Sequence, residues 1–173
     1  MWQRQMPCAC KGDQPDYPIT DNWGPSLWTI LHALAEKAGR PLFPSFREDE
    51  KRQWTHFIEI MPKMIPCPNC REHAQNWVIA HPMKAAKDLG ADEFHEWMVT
   101  WVYEFHEDVN RREGKPSFDK SLLSQTYGSV NVKTVLKTMT PFIENAIRLS
   151  GITLFPWQKW NGYFKMICSF YGI

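Results

Sequence analysis

Two cysteines three residues apart are the clearest chemical feature of this sequence. Cys67 and Cys70 stand in the run Pro-Cys-Pro-Asn-Cys, which opens a segment of helical character. Unpaired backbone N–H groups and the helix dipole at a helix N-terminus favour thiolate over thiol, and thiolate is the form that exchanges disulfides. The pair therefore indicates a redox centre.

The same C-x-x-C spacing also occurs in zinc sites and in thioredoxin-like proteins. A zinc site needs two further ligands, which could come from Cys8, Cys10, His73 or His81. A thioredoxin-like fold needs β-strands, which the pattern of apolar residues does not indicate. A binding or structural protein that holds zinc is therefore the main alternative to a redox enzyme.

Two predicted helices each carry a histidine beside a ring or an amide. His32 follows Trp28 by four residues, and His106 precedes Asn110 by four, so each pair shares a helix face. These groups can bind an adenine or ribose edge, and Lys115 offers a positive charge to a diphosphate. The other histidines are interpreted first as hydrogen-bonded core residues: His56, His73, His81 and His95.

Three motifs in order give the chain a family resemblance. They are W-G-P-S-L-W-T-I-L-H at 23–32, P-C-P-N-C at 66–70 and H-E-D-V-N-R-R-E-G-K-P at 106–116. Together they resemble the Erv/ALR sulfhydryl oxidases, whose pattern is W-x-x-x-H, C-x-x-C and H-N-x-V-N-x-(K/R)-x-G-K-P. The spacing after Cys70 and the short polar start are most similar to the stand-alone enzymes of large DNA viruses.

The resemblance implies an FAD-linked thiol oxidase that makes disulfides in protein dithiols and reduces oxygen to hydrogen peroxide. It implies that Cys70 lies against the flavin ring in charge-transfer or C4a contact, and that Cys67 is the interchange thiol attacked by the incoming partner. The residues implied to hold FAD are Trp28, His32, His106, Asn110 and Lys115.

The sequence departs from the family pattern in two places. Glu107 stands where the family has Asn after the histidine, which leaves one customary amide contact without its residue. The basic and Trp residues that often follow Gly-Lys-Pro in the family have no clear counterpart here. Contacts to FAD beyond Phe118 therefore stay open.

The remaining cysteines lie near the two ends of the chain. Cys8-Ala9-Cys10, on a segment rich in Pro and Gly, resembles the second, shuttle disulfide of the family. A disulfide closed over one intervening residue has poor geometry, which raises its reduction potential and makes it a good oxidant. The alternative is a pair of free thiols. Cys168, in an aromatic segment, is predicted to be a buried structural thiol.

Helical spacing of apolar residues organises the chain into an all-α, four-helix bundle with a short additional helix and a C-terminal helical extension. The apolar stripe of the second helix is expected to face the first. The predicted helices are 25–38, 47–62, 66–80, 91–112 and 131–149, followed by an aromatic tail at 155–171. The predicted divisions are an irregular arm at 1–22, an oxidase domain at 23–119 and an extension of unassigned role at 120–173.

The composition of the chain argues against two classes of binding partner. The formal net charge of +1 gives no basis for binding nucleic acid or an acidic membrane. A signal peptide or a membrane-spanning apolar run is not visible, so we expect no membrane insertion. If the protein is viral, we expect it in the cytoplasm of an infected host cell, in the virion or in both; otherwise the sequence leaves its location open. The resemblance further implies a homodimer that packs its first two helices against their mates.

Overall fold

The computed structural model describes residues 16–173, and every regular element within that range is helical. The helices are α1 (Thr20–Ala35), α2 (Arg47–Met64), α3 (Pro68–Ala80), α4 (Ala91–Arg112), α5 (Leu123–Tyr127), α6 (Val132–Arg148) and α7 (Leu154–Phe170). Short 3-10 turns occur at Pro44–Phe46, Met83–Ala86 and Lys120–Leu122. The predicted all-α class is confirmed, while Cys8 and Cys10 lie outside the described residues.

Helix α1 begins five residues earlier than its Pro25 suggested. Its first turn is closed by Asn22, whose Oδ1 accepts the N–H of Ile19 at 3.0 Å. Pro25 therefore lies inside the helix and removes one backbone bond, the one to the carbonyl of the exposed residue Asp21. The early start matters because it places Thr20, Trp23 and the motif histidine on one continuous helix.

The turn after α1 depends on a glycine. Gly39 has a φ of +76°, and a Cβ there would lie 2.1 Å from the carbonyl oxygen of Ala91. Its N–H donates to the buried carboxylate of Glu50 at 2.8 Å. This contact ties the end of α1 to α2, although the two helices pack mainly against other partners.

Helix α2 packs chiefly against α7, and the expectation that its apolar face meets α1 is wrong. Phe57 of α2 stacks on Trp160 of α7 with ring centres 4.8 Å apart. Trp54 donates its indole N–H to the hydroxyl of Tyr171 at 2.8 Å. An amphipathic pattern predicts that a face is buried but not which helix buries it, and here the C-terminal segment does so.

Helix α6 lies along α1 in the same way, with Val132, Met139, Ile143 and Ala146 buried. Helices α6 and α7 thus cover the first two helices and share one apolar core with them. Helix α4 has the bounds predicted from its apolar spacing and packs on the other side of α1. Within residues 16–173, none of the helices has the length and apolar character that crossing a membrane requires.

Candidate active site

Cys67 and Cys70 form a disulfide at the N-terminus of α3. Cys67 is the residue that caps the helix, and its sulfur accepts the backbone N–H of Cys70 at 3.2 Å. Pro68 occupies the first helical position, where a missing N–H removes no helix bond. Cys67 is fully buried and Cys70 is partly exposed, with its sulfur 3.8 Å from the hydroxyl of Thr20.

The backbone that precedes Cys67 is held by two side chains, Arg71 and Tyr17. The guanidinium of Arg71 donates to the carbonyl oxygens of Ile65 at 3.0 and 3.1 Å and of Gly151 at 3.1 Å. Tyr17 donates its hydroxyl to the carbonyl of Pro66 at 3.0 Å. These bonds fix the backbone just before Cys67, where α3 begins.

A cavity of about 590 Å³, here called the inner cavity, lies between α1, α3 and α4. Its walls include Cys70, His73, Phe105 and two tryptophans, Trp23 and Trp28. The indole nitrogen of Trp23 is buried and has no hydrogen-bond partner among the described residues. A buried donor without a partner costs free energy, so this cavity suits a ligand that carries acceptors.

A second cavity of about 570 Å³, the outer cavity, adjoins the first and shares Trp28 and Cys70 with it. Its lining includes three residues predicted to hold the cofactor, which are His106, Asn110 and Lys115. The structure therefore brings four of the five predicted cofactor residues and Cys70 to one continuous pair of cavities. His32, the fifth, is not a wall residue of either cavity and contacts His106 instead.

The two motif histidines form a stacked aromatic cluster. His106 lies parallel to Trp28, with ring centres 4.1 Å apart and an angle of 7° between the rings. His32 lies 4.6 Å from the ring of Tyr127, also stacked. Tyr127 lines the outer cavity and was not predicted from the sequence, because nothing in the motif spacing indicates a contact across 95 residues.

Burial keeps both of these imidazoles neutral. Desolvation, together with the neighbouring His106, lowers the pKa of His32 from 6.5 to about 3. Desolvation also lowers the pKa of His106, to about 4, despite the opposing charge of Glu107. At neutral pH the site therefore offers imidazole N–H and N groups for hydrogen bonding and no imidazolium charge.

Glu107 holds the loop that follows α4. Its carboxylate accepts the side-chain N–H of Asn110 at 2.9 Å, the backbone N–H of Phe118 at 3.1 Å and the hydroxyl of Ser117. Burial opposes ionisation, but these hydrogen bonds hold the pKa of Glu107 below its usual value. The residue that departs from the family pattern therefore shapes the turn that carries Lys115.

The remaining histidines differ in their surroundings. His73 contacts Asp108 at 2.7 Å, His81 contacts the carbonyl of Trp77 at 3.1 Å, and the buried His95 contacts the carbonyl of Ala38 at 3.2 Å. All three are hydrogen-bonded, as expected, but only His95 is buried, while His73 and His81 are half-buried. The same expectation is wrong for His56, which is exposed on α2 beside the ring of Tyr163.

The structure also bears on the cysteines and on the zinc alternative. Cys168 is a buried free thiol, as predicted, and burial raises its pKa to about 11. Among residues 16–173, no three His, Cys, Asp or Glu side chains are grouped as metal ligands would be. Cys8 and Cys10, two of the ligands that the zinc alternative could use, lie outside that range.

Comparison with known proteins places the chain in a family. The family model described as the Erv1/Alr family matches residues 25–128. The chain belongs to the Erv1/Alr family. Helices α1 to α5 lie within the match except for the first residues of α1, while α6 and α7 follow it. The resemblance read from the three motifs is confirmed.

Individual relatives come from viruses and from eukaryotes. The chain is 31% identical over 124 residues to the FAD-linked sulfhydryl oxidase of African swine fever virus (isolate Pig/Kenya/KEN-50/1950), covering 70% of this chain and 93% of that protein. It is 26% identical over 138 residues to the putative FAD-linked sulfhydryl oxidase 096R of Invertebrate iridescent virus 3, covering 80% of each.

A cellular relative matches over a smaller share. The mitochondrial FAD-linked sulfhydryl oxidase erv1 of Schizosaccharomyces pombe is 30% identical over 111 residues, which is 64% of this chain and 56% of that protein. The chain thus spans just over half of the length of the yeast relative. No solved structure matches the chain.

Proposed function

We propose that this chain is a FAD-dependent thiol oxidase that makes disulfides in protein dithiols and passes the electrons to molecular oxygen, giving hydrogen peroxide. One observation carries the proposal. Cys70, the partly exposed member of a disulfide at a helix N-terminus, lies on the wall that two ligand-sized cavities share. A redox disulfide next to a cofactor-sized space is the arrangement that a flavin-linked oxidase requires.

The residues present fit FAD. The inner cavity has aromatic walls and the unpartnered indole N–H of Trp23, which suits a planar ring system with acceptor atoms. The outer cavity combines the flat face of His106 with the charge of Lys115, which suits a base and a diphosphate. The proposed FAD-binding residues are Trp28, His32 through His106, His106, Asn110, Lys115 and Tyr127. When bound, FAD would supply a two-electron acceptor for thiolate that oxygen can reoxidise.

The chain itself performs the disulfide exchange. A substrate thiolate attacks the sulfur of Cys67, the Cys67–Cys70 bond breaks, and Cys70 leaves as a thiolate at the cavity wall. The second substrate thiol then attacks the mixed disulfide, which releases the substrate disulfide and frees Cys67. Two electrons and two protons pass to the Cys67/Cys70 pair in this step. The helix N-terminus stabilises the thiolates, and the hydroxyl of Thr20 is placed to donate to Cys70.

We propose a division of labour along the chain. Residues 23–119 carry most of the oxidase site, to which Thr20 and Tyr127 add contacts from outside that range. Residues 1–22 carry the shuttle pair Cys8 and Cys10, and residues 120–173 support the bundle through α6 and α7. Two copies are the expected unit. Because α6 and α7 cover α1 and α2, a homodimer must use surfaces that these helices leave open. Sedimentation of the purified chain measures this directly.

We place the enzyme in the cytoplasm of an infected host cell or in a virion. The viral sulfhydryl oxidases among the relatives support this proposal. Immunodetection in fractionated infected cells and in purified virions would test it. Protection within a membrane-bound organelle would contradict it.

The first experiment is an absorption spectrum of the purified chain, followed by oxygen uptake after addition of dithiothreitol. A bound flavin with oxygen uptake supports the oxidase. A colourless protein with stoichiometric zinc would support the alternative, a non-catalytic structural protein. Cys70→Ser should keep the flavin and lose oxygen uptake, and Cys168→Ala, far from the site in sequence and buried, is the matched control.

A further inference from the structure

Arg71 links the redox disulfide to the C-terminal part of the chain. Its guanidinium, carried at the end of the first turn of α3, donates to the carbonyl oxygens of Ile65 at 3.0 and 3.1 Å and of Pro66 at 3.4 Å. The carbonyl carbon of Pro66 is bonded to the nitrogen of Cys67, so the cation lies against the backbone that leads into the disulfide. A further bond, at 3.1 Å, goes to the carbonyl oxygen of Gly151, between α6 and α7.

The charge of Arg71 has no acidic partner among residues 16–173. The carboxylates that form ion pairs in this range are those of Glu48, Asp49 and Asp108, and none of them pairs with Arg71. Carbonyl oxygens hold the guanidinium in place without cancelling its net charge. Because a positive charge beside a thiol favours the thiolate form, the cysteine pair is exposed to this charge.

The turn that supplies the carbonyl of Gly151, here called the C-terminal turn, has a defined geometry. Ser150 has a φ of +59° and donates its N–H to the carbonyl of Ile147 at 2.9 Å. The N–H of Gly151 donates to the carbonyl of Ala146, also at 2.9 Å. This pairing is the Schellman arrangement, which ends a helix with one residue in the left-handed region. It fixes the direction of the carbonyl that accepts from Arg71.

Arginine suits this position because of its shape. The planar guanidinium presents several N–H donors in a fixed fork, so it can bind carbonyl oxygens of two separate segments at once. An ammonium group carries the same charge without that fork. Ile65 is also the residue that ends α2, and the negative end of a helix dipole favours a cation there.

We infer that Arg71 is a positioning residue that raises the reduction potential of the Cys67/Cys70 disulfide, and that the C-terminal turn holds it where it does so. The inference rests on the proposed thiol oxidase function and adds to it a determinant of how readily the pair accepts electrons. The family match ends at residue 128, so the C-terminal turn lies beyond it. Residues 120–173 thereby take part in the chemistry as well as in the packing.

The charge acts on the reduced state of the pair. When a substrate dithiol reduces the pair, two electrons break the Cys67–Cys70 bond and the substrate becomes a disulfide. Of the two protons that the substrate loses, one goes to one sulfur of the pair, and the other goes to solvent when the second sulfur stays a thiolate. The disulfide carries no charge, so a nearby cation stabilises the reduced form more than the oxidised form and makes the pair a better oxidant.

The reduction potential of the pair tests the inference directly. Full-length wild type and Arg71→Gln are equilibrated without oxygen in mixtures of reduced and oxidised glutathione, quenched with acid and alkylated. Mass spectrometry of the tryptic peptide that contains both cysteines gives the reduced fraction. Loss of the charge should lower the equilibrium constant for reduction about tenfold, which is about 30 mV. Lys63→Gln, which removes an exposed charge four residues before Cys67, is the matched control and should change the constant less than about twofold.

Arg71→Lys separates the effect of charge from a loss of packing. It keeps the charge, so its potential should lie closer to that of the wild type than the potential of Arg71→Gln does. Equal shifts in the two variants would overturn the inference, because a purely structural role would be damaged by both. An unchanged potential in Arg71→Gln would overturn it as well.

The wild type provides a test that does not depend on the folding of any variant. If one sulfur of the reduced pair stays a thiolate near pH 7, reduction takes up one proton for two electrons, and the potential should fall by about 30 mV per pH unit between pH 7 and pH 8. A fall of about 60 mV per pH unit, which corresponds to two protons, would contradict the proposed stabilisation of a thiolate.

Gly151→Ala tests the part played by the C-terminal turn. A Cβ there would lie 2.0 Å from the hydroxyl oxygen of Tyr17, so the turn must shift and its bond to Arg71 weakens. The variant should lower the potential of the wild type and have no further effect in Arg71→Gln, because both changes act through one group. Gly162→Ala, where a Cβ meets nothing within 4 Å, is the matched control. No effect in the wild type, or an equal effect in both backgrounds, would overturn the role of the turn.

The measured potentials are independent of turnover, because oxygen is absent throughout. A wild type that takes up no oxygen with dithiothreitol would count against the proposed oxidase. Unchanged potentials in an enzyme that does take up oxygen would count only against this inference.

Discussion

The Nε2 atom of His32 and the Nδ1 atom of His106 lie 3.0 Å apart, so one imidazole donates to the other across the contact between α1 and α4. Both rings are largely buried, and burial lowers the pKa of each well below 6.5. The hydrogen bond requires at least one neutral acceptor nitrogen. Protonation of one ring buries a positive charge, and protonation of both also removes the acceptor, so either step opposes the folded arrangement.

This pair predicts that acid weakens the fold. Because the folded pKa values lie below the unfolded ones, the stabilisation is complete above pH 6.5 and declines as the pH falls toward about 4. Between pH 7 and pH 5.5 the thermal midpoint should fall by several degrees, at about 2–4 °C per kcal/mol. Differential scanning calorimetry measures the change.

The control for this prediction is a pair of glutamine variants. His32→Gln with His106→Gln removes both titrating rings and should flatten the dependence on pH, while His56→Gln at an exposed position should leave it intact. An unchanged slope in the double variant would assign the acid sensitivity to other groups.

The sequence predicts the site better than it predicts the packing of the bundle. Pro68 and the apolar steps of α4 are local signals, and both helices lie where they indicate. Pro25 was misleading, because a proline suits a first turn but is also tolerated deeper in a helix whose exposed end loses one bond. The stacking of Tyr127 on His32 depends on distant parts of the chain and has no local signal.

The aromatic tail shows the same limit. Trp157, Trp160 and Phe164 gave no functional interpretation, since a helix that is apolar on several sides does not tell which neighbour covers it. In the structure they complete the core against α2. The sequence did not indicate which helix packs against this segment, because that depends on the three-dimensional arrangement.

Replacement of Glu107 should weaken the binding of FAD. Glu107→Ala removes the acceptor that joins Asn110 to the loop at Ser117 and Phe118, so Lys115 loses its fixed position. Affinity for FAD should fall about tenfold, as expected for losing hydrogen bonds to a charged group. Fluorescence titration of the apoprotein with FAD measures it. Glu104→Ala, exposed on the same helix, should bind FAD as the wild type does, and equal affinities in both variants would remove Glu107 from this role.

Two substitutions of the buried residue Glu50 should have very different effects on the free energy of unfolding. Its Oε1 accepts both the N–H of Gly39 and the hydroxyl of Tyr171. Glu50→Gln keeps an acceptor oxygen there and should be close to neutral at pH 7. Glu50→Ala leaves two buried donors without partners and should lower the free energy of unfolding by about 3 kcal/mol. Urea unfolding followed by circular dichroism measures both.

The pH dependence adds a check on Glu50. Burial raises the pKa of this carboxyl in the folded state. The stabilisation that its protonated form contributes is therefore complete at a pH below the ordinary pKa of glutamate, and it declines as the pH rises through the raised pKa of the folded state. The wild type should therefore lose stability relative to Glu50→Gln between pH 5 and pH 7. A constant difference over that range would mean that the carboxyl stays in one protonation state.

Replacement of Trp160 tests whether the C-terminal extension is part of the cooperative core. The side chain is fully buried and stacks on Phe57 of α2, so Trp160→Ala leaves a cavity at the contact between α2 and α7. Such a change should lower the free energy of unfolding by about 3–5 kcal/mol. Phe155→Ala, at a position 61% exposed on the same helix, should change it by less than about 0.5 kcal/mol.

Because α7 shares its core with the helices that carry the redox site, the Trp160 variant should still unfold in one transition by both far-ultraviolet circular dichroism and tryptophan fluorescence. Two separate transitions, with the first confined to the C-terminal helices, would instead make residues 120–173 an independent unit that rests on the oxidase domain without stabilising it.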